Sequence, residues 1–176
     1  MTDSKIENVI GALALAFADT LQRDAQAEAP EAGPAAAAVT LMGHVPGLSI
    51  ERLRRALSLS HSGAVRLVDR LVAEGLAARF AAPDDHRAVA LRLTPLGETT
   101  CNAILSARQS GLASALAVLD PQELQEFGKL AAKVLRGLVG SEDQAYRICR
   151  LCNYIACLDC PVEAELSLAL ATPNTR

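Results

Sequence analysis

Apolar residues recur at 6, 9, 10, 13, 14, 17 and 21, three and four apart. That spacing is one stripe of an amphipathic helix and predicts one from Ile6 to about Ala27, after a frayed start over residues 1–5. The segment EAPEAGP at 28–34 interrupts it, and Ala35 to His44 resumes as a second helix that ends near Pro46-Gly47. Ser49 can cap a short helix over Ile50–Ala56. Leu57-Ser58-Leu59 reads as a turn. Ser60 can cap the next helix, whose apolar positions are Val65, Leu67, Val68, Leu71 and Val72. Gly75 stands where a left-handed residue would end that helix. Leu76–Phe80 and Val89–Leu93 then read as two strands around the turn-rich tip Pro83-Asp84-Asp85-His86-Arg87.

Beyond the strands, Leu96 to about Leu119 predicts a long helix with an apolar face at 101, 104, 105, 112, 115, 116 and 119. Asp120-Pro121-Gln122-Glu123 is a start signal: Asp as cap, Pro at the first helical position, Glu reaching back. The helix it opens runs to Gly140. Ser141-Glu142-Asp143-Gln144 has the form of another capping box and predicts a helix to about Asn153. Pro161 is placed to open a final helix to Ala171, with Thr172–Arg176 disordered.

Two helices at a sharp turn followed by a hairpin make a winged helix-turn-helix. The second helix of such a unit fits the DNA major groove, and the hairpin lies along the backbone or in the minor groove. The residues also carry a resemblance. LSLSHSGAVRLVDRLVAEGLAAR followed by DDHRAVALRLTPLG resembles the MarR (multiple antibiotic resistance regulator) family of bacterial transcriptional regulators. The most specific part is Asp85, Arg87, Thr94 and Gly97, a D-x-R-x6-T-x2-G pattern. The resemblance spans about Ile6 to Val139, is strongest from Leu48 to Gly97, and does not extend to the tail after Gly140. It implies that the first and last helices form a dimer interface, that Asp85 braces the wing, and that Arg87 reaches the minor groove. It also implies a small effector, often an aromatic acid, bound between the dimer core and the DNA lobe.

Composition narrows this picture. Hydrophobic residues make up 51% of 176, yet aromatics are only 3% and Trp is absent, so the core is built of Ala, Leu and Val, which favours helices. No apolar run would span a bilayer and the N-terminus has no signal-peptide layout, so a cytoplasmic protein without membrane contact is expected. The net charge of −3 argues at first against nucleic acid. From Ile50 to Arg92, however, eight Arg face five acids, a local +3 against −6 elsewhere. A basic face on an acidic body suits phosphate contact; the plainer reading is a set of ordinary solvated helix faces.

Two constellations carry chemistry. The DNA-reading set is Arg52, His61, Ser62, Gly63, Arg66, Arg70, Asp85 and Arg87. Ser62, Gly63 and Arg66 fall on the early turns of the reading helix, and Arg can hold guanine O6 and N7 together. Gly63 departs from the Thr or Ala common at that place in the family. The second set is Cys149-x2-Cys152-x4-Cys157-x2-Cys160, followed by Pro161. Cys-x2-Cys pairs let two sulfurs reach one ion, and thiolates suit zinc or an iron–sulfur cluster. The four-residue gap is short for a zinc ribbon and unlike the common ferredoxin run. A thiol redox switch, with Cys160 acidified at a helix N-terminus, and plain buried thiols remain open. Cys101, alone on its helix, reads as a small core residue. No catalytic constellation is present, so no enzyme is expected.

The expected architecture is mainly α: a winged helix-turn-helix with a small two- or three-stranded β-wing, plus a helical dimerisation region. Its divisions are 1–47 (dimerisation and support), 48–97 (DNA-binding lobe), 98–140 (dimerisation helices) and 141–176 (cysteine-rich tail). The expected function is a homodimeric regulator of transcription, a repressor. It would bind a palindromic site in double-stranded DNA and be released by a small ligand, a metal change or oxidation. The alternative is a metal-carrying redox or interaction module that uses its winged helix to bind protein.

Overall fold

The computed structural model describes residues 2–81 and 89–164. Helix α1 (Asp3–Ala27) starts earlier than expected, because Asp3 in the first turn suits the positive end of the helix dipole. α2 (Ala35–His44) follows the turns at 28–34 and is the most buried element, with Ala35 to Met42 all enclosed. Its run of alanines lets α1 and α5 (Pro95–Leu116) approach closely, while α1 and α5 also pack against each other. Gly43 at its end lies against Cys101, as an added methyl would stand 3.0 Å from the Cys101 Sγ. Cys101 is buried, the core role expected of it.

The helix-turn-helix consists of α3 (Ile50–Ala56) and α4 (His61–Ala73). Both caps form: Ser49 Oγ accepts from Arg52 N at 3.1 Å and Ser60 Oγ accepts from Gly63 N at 3.1 Å. Both helices also end alike. Leu59 N donates to Arg54 O and Ser58 N to Arg55 O, just as Leu76 N donates to Leu71 O and Gly75 N to Val72 O. These are Schellman closures, which need a left-handed residue. Gly75 supplies it at φ 72° and Ser58 at φ 55°.

Strands β2 (Ala77–Ala81) and β3 (Val89–Leu93) form the expected hairpin, pairing Ala77 with Leu93 and Ala81 with Val89. A third strand, β1 (Leu48–Ser49), takes the other edge of β3 through Leu48 and Leu91, so the order is β1-β3-β2. The hairpin is locked to α5 at Thr94 and Gly97. Thr94 Oγ1 caps α5 by accepting from Gly97 N at 3.1 Å and donates to the Gly75 carbonyl. Gly97 lies so close to strand β2's approach that an added Cβ would stand 1.9 Å from the Leu76 carbonyl oxygen.

α6 (Pro121–Gly137) opens with the full capping box: Asp120 accepts from Gln122 and Glu123 N, and Glu123 accepts from Asp120 N. α7 (Glu142–Cys149) is shorter than the helix to Asn153 that its start implied. Its box is also altered, since Gln144 Oε1 accepts from Gly140 N rather than from the cap residue. The chain leaves the helix at Arg150 to turn Tyr154 onto His44, where the rings stack with centroids 5.0 Å apart. Residues 161–164 are helical; the expected remainder of that helix, and Thr172–Arg176, lie outside the described residues. No described helix is long and apolar enough to cross a membrane.

Candidate nucleic-acid interface

α4 divides cleanly along its length. Ala64, Leu67, Val68 and Leu71 are buried, and their burial presses the helix onto the core. The opposite face carries His61, Ser62, Arg66 and Arg70, all exposed, with Gly63 half-buried beside them. Arg66 folds back along the helix, its Nε 3.3 Å from Ser62 O and its second guanidinium nitrogen 3.4 Å from Ser62 Oγ. Ser62 Oγ in turn lies 3.4 Å from the capping Ser60 Oγ. Arg66 has no acidic partner among the described residues. A cap that holds the helix start rigid, with Ser and Arg on its first turns, offers a hydroxyl and a two-pronged donor to a groove.

The other arginines are mostly engaged, which corrects the open basic face implied by their number. Arg52 pairs with Glu142 of α7 at 2.9 Å and lies over the Tyr146 ring at 5.3 Å. Arg54 and Arg55 pair with Glu51, Arg55 also with Asp143, and Arg79 with Asp69. Arg70 pairs with Glu31 at 2.7 Å. Arg92 stacks over Phe80. The Arg54 guanidinium holds the Glu51 carboxyl below its ordinary value by hydrogen bonding. Most of these groups are exposed, Arg54 and Glu31 less so, and phosphates can compete for the exposed pairs at little cost. Asp85 and Arg87, the expected wing contacts, lie outside the described residues.

A cavity of about 480 Å³ lies behind the helix-turn-helix, where α1, α2, the α3–α4 turn, α5 and α7 meet. Three cations face it, Arg108, Arg147 and Arg150, and Arg108 Nε has no hydrogen-bond partner. Spacing and periodicity could not have revealed this site, since its lining comes from five separated segments.

The four tail cysteines are all free and line a second cavity, of about 290 Å³, together with His44 and Tyr154. The thiols stand as two pairs. Within each pair one thiol shifts the other, Cys149 with Cys152 and Cys157 with Cys160. The hydrogen bond from Cys149 lowers Cys152 to about 6, against the effect of its burial and with help from Arg108 and Arg150. The same bond, and burial, push Cys149 up. Burial first, then the bond to Cys160, pushes Cys157 up to about 11. Among the described residues no three His, Cys, Asp or Glu stand together as a group that could hold a metal ion.

A core-pressed second helix, a capped start and a three-stranded wing sheet define a winged helix-turn-helix. Residues 33–88 match the family model described as the MarR family. Solved structures extend the likeness beyond the lobe. A MarR family protein from Bacillus stearothermophilus is 25% identical with a TM-score of 0.64, covering 78% of this chain and 97% of that one. Wild-type MarR from E. coli is 25% identical at a TM-score of 0.57, over 71% of this chain and 96% of that one. A mutant MarR from E. coli complexed with operator DNA is 23% identical at 0.55, over 77% and 99%. Comparison with curated proteins gives no match.

Proposed function

We propose that this chain is a sequence-specific DNA-binding regulator of transcription, acting as a homodimer and as a repressor. The observation that carries the reading is α4: a rigidly capped helix start that presents Ser62 and Arg66 to solvent on a MarR-family lobe. The E. coli relative complexed with operator DNA supports the same use of the fold. Two copies would set two reading helices about one helical turn of DNA apart, matching an inverted repeat.

The dimer reading is supported by apolar faces left in water. Ile6, Val9 and Ile10 of α1 are exposed, and α6 buries none of its residues while exposing Leu130 and Val134, with Leu138 exposed at its C-terminal cap. A second copy that covers these faces removes that surface from water. Release would come through the cavity behind the reading helices. Arg108, Arg147 and Arg150 suit a small organic anion, whose binding would shift the lobe against the dimer helices.

Selection from a random duplex pool, followed by titration over a salt series, tests the reading. The expected result is an inverted repeat bound by a dimer, with affinity falling as salt rises. No binding even at low salt would transfer the winged helix to protein contacts.

A further inference from the structure

Residues 141–164 of the tail are packed into the fold. Ala145, Cys149 and Val162 form a small core of their own, with Cys152, Cys160, Leu135 of α6 and Val139 just beyond it packed against it. On its other side α7 lies on α3, where Glu142 and Asp143 reach Arg52 and Arg55 and Tyr146 lies under Arg52. Tyr154 stacks on His44 at the end of α2. The cysteine segment therefore ties α6 to the helix directly beneath the reading helix.

The backbone aims both cysteine pairs at one space. Cys152 N donates to Cys149 O at 2.9 Å, closing a tight turn at the end of α7. Asn153 Oδ1 accepts from Ile155 N and Ala156 N and folds the short loop. Asp159 is left-handed at φ 55° and turns the chain between Cys157 and Cys160. All four cysteines line the same cavity, and His44, which also lines it, has an Nδ1 without a hydrogen-bond partner.

We propose that Cys149, Cys152, Cys157 and Cys160 are the four ligands of one thiophilic divalent cation of the zinc class, and that its binding clamps α7 onto α3. Four sulfurs satisfy the tetrahedral preference of such an ion without a fifth ligand, which marks a structural rather than a catalytic centre. Binding replaces the thiol protons, so each ion held releases protons and closes the two dithiol turns onto each other. The consequence for DNA binding rests on the function proposed above; the cation site does not.

Chain prepared anaerobically, as full-length protein, tests this. Zinc analysis and competition against a chromogenic chelator should find about one tightly held ion per chain. Cys157→Ser with Cys160→Ser should abolish that stoichiometry, and Cys101→Ser should retain it. Hydrogen exchange read on the same samples should show faster exchange in α7 and in α3 once zinc is stripped, restored on adding zinc back. A parent chain that takes up no zinc, or a double variant that keeps it in full, overturns the site. A visible iron–sulfur spectrum overturns the choice of ion. Zinc loss that leaves exchange in α3 unchanged overturns the clamp. Because zinc content is read without DNA, a failed DNA-binding assay leaves these results standing.

Discussion

Arg66 and Gly97 show how differently two residues of the same lobe are constrained. Arg66 touches only its own helix, through Ser62, and is exposed. Arg66→Ala should leave the melting transition nearly unchanged and weaken binding to a selected operator by about 1–3 kcal/mol, with relaxed base preference. Anisotropy titration against the operator and its base-substituted variants measures both. Gly97 is the opposite case. Any Cβ meets the Leu76 carbonyl at 1.9 Å, and backbone cannot swing aside as a side-chain end can. Gly97→Ala should lower unfolding stability by about 3 kcal/mol, at the upper end of overpacking costs, as read by urea denaturation. The T-x2-G half of the family pattern is thus a hairpin-to-helix lock, made by the Thr94 cap and this contact. Gly63 belongs with the structural residues too, as a methyl there would stand 3.0 Å from the capping Ser60 Oγ.

Between elements, the helix ends matter most. The turn between α3 and α4 closes on Ser58 in a left-handed conformation, which costs an L-residue about 1–2 kcal/mol. Glycine pays no such cost, though it loses more entropy on folding. Ser58→Gly should therefore raise stability by about 0.5–1 kcal/mol without changing the fold, seen as a higher urea midpoint at unchanged slope. The ends of α4 and α6 were readable because their signals are local: Gly75 after one, Asp120 to Glu123 before the other. β1 was not, since two residues have no period and become a strand only when β3 offers its free edge. The early end of α7 is similar. Nothing in its sequence stops it at Cys149; the stacking of Tyr154 on His44 and the packing of Cys149 with Val162 do.

Across the whole molecule, one copy leaves its first and sixth helices with apolar faces in water. Leu130 is 64% exposed and Val134 63%, the apolar surface on which the proposed dimer rests. The chain should sediment as a dimer at micromolar concentration, and Leu130→Asp should shift it towards monomer, because a charge would be buried unpaired between copies. A parent that sediments as monomer, or a variant that remains a full dimer, would remove α6 from the interface. Charge also changes meaning at this scale. The local +3 counted along the chain is largely matched in space, Arg52 and Arg55 by α7 and Arg70 by Glu31. What remains without an acidic partner in the reading helix, among the described residues, is Arg66.

Periodicity, caps and turn residues by themselves determined the order of elements and the bounds of α2, α3 and β3, because each such signal acts within a few residues. They also determined the winged helix-turn-helix and which face of α4 meets solvent, since burial follows the apolar stripe. Only the tertiary structure decided which arginines stay free, because ion pairs such as Arg70 with Glu31 join positions far apart in the chain. It alone decided that Arg108, Arg147 and Arg150 share a cavity. And it decided that the cysteine tail seats on α3: spacing can pair thiols three apart, but the partner helix they lean on is chosen by packing and charge across 88 residues, from Arg55 to Asp143.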